Sequence, residues 1–449
     1  MSGFSKLIRG KKDLKIAKNK SHTRDKATIE LIPTDTEKLI YPLVQHKGAA
    51  AKALVKKGDA VLVGQKIAEM QGFISAHVHA SVSGVVFSVS DSEIVVTSDG
   101  KMEEIEFIKR ENYLDLSKEE YLEIIKEAAI VGWGGAGFPT YVKLNPPKEH
   151  KIDYVIINGA ECEPYLVSDF RLMMDKSEAV IKGAEILLKL FPSAELIIGI
   201  ETDKPEAVEL YQKLTKDQPK MRTAPLKPTY PMGSEKQLIE TCTGRQVPSG
   251  ALPSAAGCIM VNIASCAAIY AAVSESKPHN YRIITLSGKA FKEPGSYKTP
   301  IGMTLASIVE KTGGFAQEPV KLIDGGPMMG RGMFTLESPI VKTTSGILAF
   351  TAEEAKLPDE SPCIRCSKCV EYCPAGLMPY ELNRLSLANQ LDQFKGINGM
   401  DCIECGVCSF VCPSNRHLTQ SFSLSKKKVF EEEALKQSVA EIKEKMGGK

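Results

Sequence analysis

Two copies of one cysteine spacing constrain this chain more than any other feature. Cys363-x2-Cys366-x2-Cys369-x3-Cys373-Pro374 is followed by Cys402-x2-Cys405-x2-Cys408-x3-Cys412-Pro413. An iron–sulfur cubane needs four thiolates on a tight, turning backbone. Two-residue spacers let three consecutive cysteines wrap one cluster, and the fourth cysteine of each run reaches the other. The spacing therefore assigns Cys363, Cys366, Cys369 and Cys412 to one 4Fe-4S cluster, and Cys402, Cys405, Cys408 and Cys373 to a second, within a two-cluster domain over 358–418. Zinc is the competing reading, but zinc sites use paired Cys-x2-Cys knuckles and have no use for a trailing Cys-Pro. Disulfides are not expected in a chain that shows no secretory signal. The stretch between Pro374 and Asp401 is longer than such a domain needs, and Pro379, Leu382, Leu385 and Leu391 predict an inserted helix. Cys162, Cys242, Cys258 and Cys266 have no metal spacing and read as small buried apolar residues.

A length of 449 residues exceeds one core and suggests about three domains. With 43% hydrophobic and 25% charged residues, the chain is neither disordered, collagen-like nor a polytopic membrane protein. A net charge of +2 makes no electrostatic case for nucleic-acid binding. The charge is uneven, however. Residues 1–26 carry nine Lys or Arg against Asp13 and Asp25, with no apolar run of the signal-peptide kind. This stretch, within a basic N-terminal segment over 1–39, reads as a solvated basic arm, or alternatively as a docking arm for an acidic partner or an anionic membrane. No charge occurs from Gln246 to Ser274, long enough to cross a bilayer. Pro248, Pro253, Asn262 and the abundance of Ala, Ser and Gly make it a loop followed by a buried helix instead. The chain is expected to be soluble, with any membrane association through partners.

Residues 40–108 alternate short apolar runs with turns at Gly58-Asp59 and Gly64, which predicts a small β domain. The pattern resembles the lipoyl/biotin-carrier type of barrel sandwich, with His79-Ala80-Ser81 where the carrier lysine turn would stand. His77 and His79 share a face at strand spacing and can bind a metal, although two histidines without a third ligand are more often structural. Over 110–275, an N-capped helix at 117–130, strands at 154–157 and 196–200 and a helix at 176–190 predict an α/β domain with a largely parallel sheet. Residues 282–350 form a small α+β module, with a strand at 283–288 and a helix at 304–312. Residues 424–449 contain a charged helix from Lys426 to Met446 that serves packing or docking.

Gly132-Trp133-Gly134-Gly135-Ala136-Gly137-Phe138-Pro139 contains G-x-G-x-x-G, but a helix precedes it rather than the strand of a dinucleotide fingerprint. Pro139 suits a helix start. A glycine run entering a helix presents backbone N–H groups to a phosphate or a flavin edge, and Lys143 adds a positive charge. A tight turn with no ligand is the plain alternative. The strand at 154–157 ends in Asn158-Gly159-Ala160-Glu161-Cys162-Glu163-Pro164, at the edge where α/β sheets gather ligands. There Asn158 can bond a ring edge, and Glu161 or Glu163 a ribose or amide, unless they are solvated caps. The stretch Tyr230-Pro231-Met232-Gly233-Ser234-Glu235 is a third wall.

The glycine loop through Thr140, together with Asn158 to Pro164, resembles the flavin/NADH-binding region of the flavoprotein subunit of respiratory complex I. The carrier-like barrel and the ferredoxin-like cysteine repeat make the chain, over roughly 4–425, resemble the RnfC family of Rnf electron transport complexes. These are membrane-bound ferredoxin:NAD oxidoreductases that pump Na+ or H+. The resemblance implies a multidomain α/β plus β protein: a barrel-sandwich domain, an α/β FMN/NADH domain, a β-grasp (SLBB-like) module at 282–350 and a two-cluster ferredoxin domain. It implies FMN held by Gly132, Gly134, Gly135 and Lys143 with Asn158, Tyr230, Gly233 and Asn262. It places Phe138 on the nicotinamide side, and Glu163 and Glu235 near NAD(H). The chain departs from the complex I pattern at Trp133, where that flavoprotein has Arg, and at Ala160, where it has Asp. The implied activity is hydride exchange with NAD(H) at FMN and single-electron transfer through two 4Fe-4S clusters, because a flavin converts one regime to the other. The implied partners are integral-membrane and ferredoxin-like Rnf subunits, with the chain peripheral on the cytoplasmic face of the bacterial membrane. Two alternatives stay open: a cobalamin reductase of bacterial microcompartments, which has similar domains, and an electron-wiring scaffold with a vestigial nucleotide site.

Overall fold

The computed structural model describes residues 12–447, which divide into two compact units. One unit contains 17–228 and 235–356; the other contains 12–16, 229–234 and 357–447.

The larger unit is built around a four-stranded parallel sheet in the order Met221–Leu226, Glu195–Glu201, Tyr154–Gly159 and Cys258–Asn262. Val155, Ile156, Ile157 and Leu196 to Ile198 are fully buried, the continuous apolar pattern of strands covered on both faces. The helix Ser177–Leu190 packs against Ile263–Glu275, the second half of the uncharged stretch. Gly183 allows that approach: a Cβ there would lie 2.1 Å from the Cys266 carbonyl oxygen. Cys258 and Cys266 are buried, whereas Cys162 and Cys242 are partly exposed. The helix Lys118–Glu127 starts at Ser117 in a full capping box with Glu120. Among the described residues, no helix is long and apolar enough to cross a membrane.

A four-stranded sheet (Asp35–Pro42, Glu93–Asp99, Gly84–Val89, Ala60–Val61) and a three-stranded one (Lys52–Ala53, Lys66–Glu69, Val78–His79) form the β domain. Its core of Leu39, Tyr41, Ile67, Val78 and Val96 is continuous with Ile284, Leu286, Tyr297 and Ile308. The latter belong to a six-stranded mixed sheet over 281–350, which takes in Ile29–Glu30 as an edge strand.

Lys20 and Arg24 correct the reading of 1–26 as a solvated arm, for the part of it that the structure describes. Residues 17–30 are part of the larger unit: Lys20 is buried, and Arg24 bonds the Glu206 carboxylate and the Asp203 carbonyl. Residues 1–11 of that arm lie outside the described residues. His77 and His79 are both buried. The His77 Nδ1 accepts from the Met70 amide at 3.1 Å, and no group of three metal-ligating side chains forms around either among the described residues.

In the smaller unit, Leu377, Leu382, Leu385, Phe394, Leu418 and Phe422 make a core around Cys373 and Cys408. The stretch between the cysteine runs holds two helices, Pro379–Leu387 and Leu391–Gly396, rather than one. The C-terminal helix runs from Leu418 to Gly447, starting eight residues before Lys426. Its buried Leu418 and Phe422 make it part of this core, beyond a docking tail.

Lys342, His46, His79 and His279 are buried within the larger unit. The Lys342 ammonium donates to the carbonyls of His77 at 2.9 Å and Ala129 at 2.8 Å, and burial pushes its pKa down to about 7. Burial pushes His46 down to about 4, and His79 and His279 well below the usual imidazole range. An unfolded histidine takes a proton near pH ~6.5, before these folded ones do. Their contribution is therefore present above that pH and is lost as pH falls. The melting temperature of the chain should drop between pH 7 and 5.5; a flat profile there would contradict the burial of neutral imidazoles.

Candidate functional site

The glycine loop leaves the Lys118–Glu127 helix and closes on itself. The Gly132 amide donates to the Phe138 carbonyl at 3.0 Å, and the Thr140 amide to Ile130 at 2.9 Å. Pro139 then caps the one-turn helix Thr140–Lys143. The glycines are there for different reasons. Gly135 (φ +91°) and Gly137 (φ +63°) occupy left-handed backbone, and a Cβ on Gly137 would meet the Thr343 methyl at 2.6 Å. Gly132 and Gly134 have no such backbone. A Cβ would reach nothing nearer than 3.8 Å and 3.7 Å respectively, the latter to the Asn262 amide nitrogen. Nothing in the fold requires glycine at 132 and 134, so the bare backbone there is suited to a flat group laid against it.

Trp133 points the other way. Its ring is buried, stacked on His279 at 4.6 Å, with the Arg282 guanidinium 4.3 Å above it. Its carbonyl accepts from Arg282 at 3.0 Å and its amide donates to Ser265 at 3.0 Å. Trp133 is the core anchor of the loop, and Phe138 is half-buried at the loop's exit.

Two asparagines end neighbouring parallel strands in register, Asn158 opposite Asn262. The Asn262 Oδ1 caps the Ile263–Glu275 helix through the Ala264 amide at 2.9 Å, and its Nδ2 donates to Asp169 at 2.8 Å. The Asn158 Oδ1 accepts from Ala160 at 3.1 Å. Glu161 is turned inward: its carboxylate accepts from the amides of Asp169 at 2.7 Å and Phe170 at 3.2 Å, at the start of the helix Ser168–Asp175. Burial raises its pKa to about 7, opposed by Lys20. The Glu163 carboxylate accepts from the Met328 amide at 3.3 Å. Lys143 pairs with Glu235 at 3.1 Å, both partly exposed. Gly132 to Gly137, Phe138, Lys143, Asn158, Glu161, Glu163, Glu235 and Asn262 thus all belong to the larger unit. Tyr230 and Gly233 fall in the smaller one, where the Tyr230 hydroxyl donates to the Cys405 carbonyl at 2.8 Å. Asp169, Ser265 and Arg282, which brace this region, sit in no motif; only the fold brings them in.

The two cysteine runs fold alike. Arg365 (φ +54°) and Ser367 (φ +63°) in the first match Glu404 (φ +54°) and Gly406 (φ +78°) in the second. The Arg365 amide donates to the Cys363 sulfur and the Glu404 amide to the Cys402 sulfur, each at 3.4 Å. Cys363, Cys366 and Cys412 are the electrostatic neighbours of Cys369, whereas Cys373, Cys402 and Cys408 are those of Cys405. Cys373, Cys402, Cys405 and Cys408 also line one cavity, with Pro374, Leu377 and Phe422. The eight thiols, soft ligands of the kind iron–sulfur clusters take, thus gather four and four, although among the described residues no three of them close on a point where one ion could sit. They differ in exposure: Cys363 and Cys366 are exposed, whereas Cys373, Cys405 and Cys408 are buried.

Comparison with known proteins agrees with this layout. Four family profiles match: the RnfC barrel sandwich hybrid domain over 9–110, the Nuo51 FMN-binding domain over 125–271, the SLBB domain over 283–332 and the 4Fe-4S dicluster domain over 362–416. The chain is 41% identical over 387 residues to component C of the proton-translocating ferredoxin:NAD(+) oxidoreductase complex of Clostridium ljungdahlii, covering 84% of this chain and 83% of that protein. It is 40% identical over 403 residues to component C of the Na(+)-translocating ferredoxin:NAD(+) oxidoreductase complex of Acetobacterium woodii, with 88% and 91% covered. It is 38% identical over 429 residues to component C of the ion-translocating oxidoreductase complex of Rhodobacter capsulatus, with 92% and 82% covered.

Two variants test the site. Gly134→Ala has room in the protein itself, so its melting temperature and iron content should match wild type while FMN affinity falls at least about tenfold, since a methyl group intrudes on the bare backbone. Unchanged FMN affinity would move the flavin elsewhere. Cys412→Ala should lose the cluster signal of the Cys363 set, read by electron paramagnetic resonance and iron analysis, and keep the other. Loss of the Cys402 set alone would contradict the crossed grouping.

Proposed function

We propose, from the premise that this chain belongs to the RnfC family of ion-translocating oxidoreductase complexes, that it is the NADH- and FMN-binding iron–sulfur subunit of such a complex. The observation that carries this reading is the pairing, in one chain, of a glycine cradle left bare at 132 and 134 with two sets of four cysteines. Bound FMN would exchange hydride with NAD(H), and two 4Fe-4S clusters would carry electrons singly.

The chain's own part is placement. Gly132, Gly134 and Gly135 offer backbone against which a ring can lie. Lys143 supplies a cation for a phosphate, held by Glu235 until a stronger anion arrives. Asn158 and Asn262 hold their amides at the strand ends, and Phe138 and Glu163 stand on the nicotinamide side. Cys363, Cys366, Cys369 and Cys412 hold one cluster at the surface, open to a protein partner. Cys373, Cys402, Cys405 and Cys408 hold the other within the core. We read 282–350 as a β-grasp module. The remaining subunits, integral-membrane and ferredoxin-like, would seat the chain on the cytoplasmic face of the bacterial membrane, and the whole complex would couple electron flow to Na+ or H+ movement.

The test is anaerobic purification of the full chain followed by iron, sulfide and flavin assays and NADH titration. About eight iron and eight sulfide per chain are expected, with flavin absorbance bleached by NADH. A chain that holds iron and FMN but leaves the flavin oxidised under NADH would be a scaffold, and the enzymatic reading would be wrong.

A further inference from the structure

The turn after the strand Tyr154–Gly159 is gripped from behind by three lysines. Three consecutive carbonyls each accept an ammonium: Ala160 from Lys204 at 2.7 Å, Glu161 from Lys20 at 2.7 Å and Cys162 from Lys18 at 3.0 Å. The lysines come from distant parts of the chain. Lys18 and Lys20 belong to the basic N-terminal segment, and Lys204 follows the neighbouring parallel strand Glu195–Glu201. Their side chains are 17%, 8% and 2% exposed. The facing carboxylates are Glu201, which pairs with Lys18 at 3.0 Å and Lys204 at 3.2 Å, Asp203 at 2.9 Å from Lys204, and Glu161 at 3.7 Å from Lys20.

Three features set this cluster apart from packing. Desolvating an ammonium is costly, and apolar side chains often stabilise a fold equally well, so stability alone does not call for three cations at one turn. The turn is also bent against its preference, since Glu161 has φ +46°, a left-handed conformation that is unfavourable for a residue with a Cβ. Finally, in a planar trans peptide the N–H points opposite the C=O. Holding the carbonyls of 160 to 162 on the lysine side therefore directs the amides of Glu161, Cys162 and Glu163 to the other side. Each ammonium polarises its peptide and makes that amide a stronger donor.

We propose that Lys18, Lys20 and Lys204 are positioning residues of the flavin nucleotide site: they hold the 160–163 turn and offset Glu161, Glu201 and Asp203, so that this side of the site does not turn negative against an anionic flavin. This deepens the proposed function and rests on its reading that FMN occupies the glycine-loop face. It also gives the basic N-terminal segment an internal role, in which Lys18 and Lys20 serve the cofactor site of their own chain rather than a partner.

The test compares full-length wild type with Lys20→Gln, which keeps a donor and removes the charge, Lys20→Arg, which keeps the charge, and the less buried Lys18→Gln. FMN dissociation constants come from flavin fluorescence quenching, and flavin midpoint potentials from anaerobic redox titration. Iron content and melting temperature report folding. The glutamine variants should bind FMN about tenfold more weakly, the scale of one charge-assisted hydrogen bond. Their flavin potential should shift downward, because removing a cation disfavours the more negative reduced form, and Lys20→Arg should restore both values. Unchanged affinity and potential in folded Lys18→Gln and Lys20→Gln would overturn the proposal. So would an arginine variant as impaired as the glutamine one, or loss of the fold in both glutamine variants, which would make the lysines purely structural. Failure of the underlying reading looks different: wild type would then bind no FMN, or bind it indifferently to Gly134→Ala.

Discussion

The register between two parallel strands governs the candidate flavin site. With Asn158 opposite Asn262, the carboxyl ends of Tyr154–Gly159 and Cys258–Asn262 finish within one residue of each other. Each chain then departs in its own direction, one into the 160–163 turn and the other into the helix Ile263–Glu275. The glycine loop is fitted to that edge: Trp133 donates its amide to Ser265 in the first turn of the helix, and Gly134 faces Asn262. A slip of one residue would turn Asn262 away, uncapping the helix and leaving Asp169 without its donor. The crevice beyond the strand ends is where open α/β sheets place ligands, because backbone and helix termini converge there with unpaired hydrogen-bonding groups.

Around that edge the fold uses buried cations as fasteners. Arg282 covers Trp133 and bonds its carbonyl, and burial lowers its pKa to about 10. Lys342 bonds two carbonyls, and Lys18, Lys20 and Lys204 bond three more. Carbonyl oxygens at chain turns have no strand or helix partner, so an ammonium satisfies them while pinning segments far apart in sequence. The smaller unit relies on a different arrangement of charge. Its eight thiols are distributed between two sets, and a metal cluster is what turns such buried or crowded thiols into stable thiolates.

The cysteine spacing and the glycine loop were legible because both are local. Cys-x2-Cys-x2-Cys requires backbone turns within a few residues, and the structure repeats those turns at Arg365 and Glu404 and at Ser367 and Gly406. The family was legible for the same reason: its marks are short runs with fixed offsets. Helices at 118–127, 177–190 and 305–311 were legible from caps and periodicity. Lys18 and Lys20 of the N-terminal segment were misread as solvated, since lysines in a sequence carry no sign of what faces them; Glu201 and the 160–162 carbonyls lie well over a hundred residues away.

By itself, then, the sequence determined the twin cysteine runs of a 4Fe-4S dicluster domain, the parallel-sheet domain with a glycine loop before it, and membership of a family of electron-transfer proteins. Local spacing decides all three. Only the tertiary structure decided which glycines answer to backbone strain and which leave a surface bare, since that depends on φ and on what stands across from a missing Cβ. It alone turned Trp133 into a core anchor, gave Tyr230 to Cys405, and set Lys18 and Lys20 behind the 160–163 turn. Each of these is a contact between residues remote in the chain, and such contacts arise only when packing closes the distance.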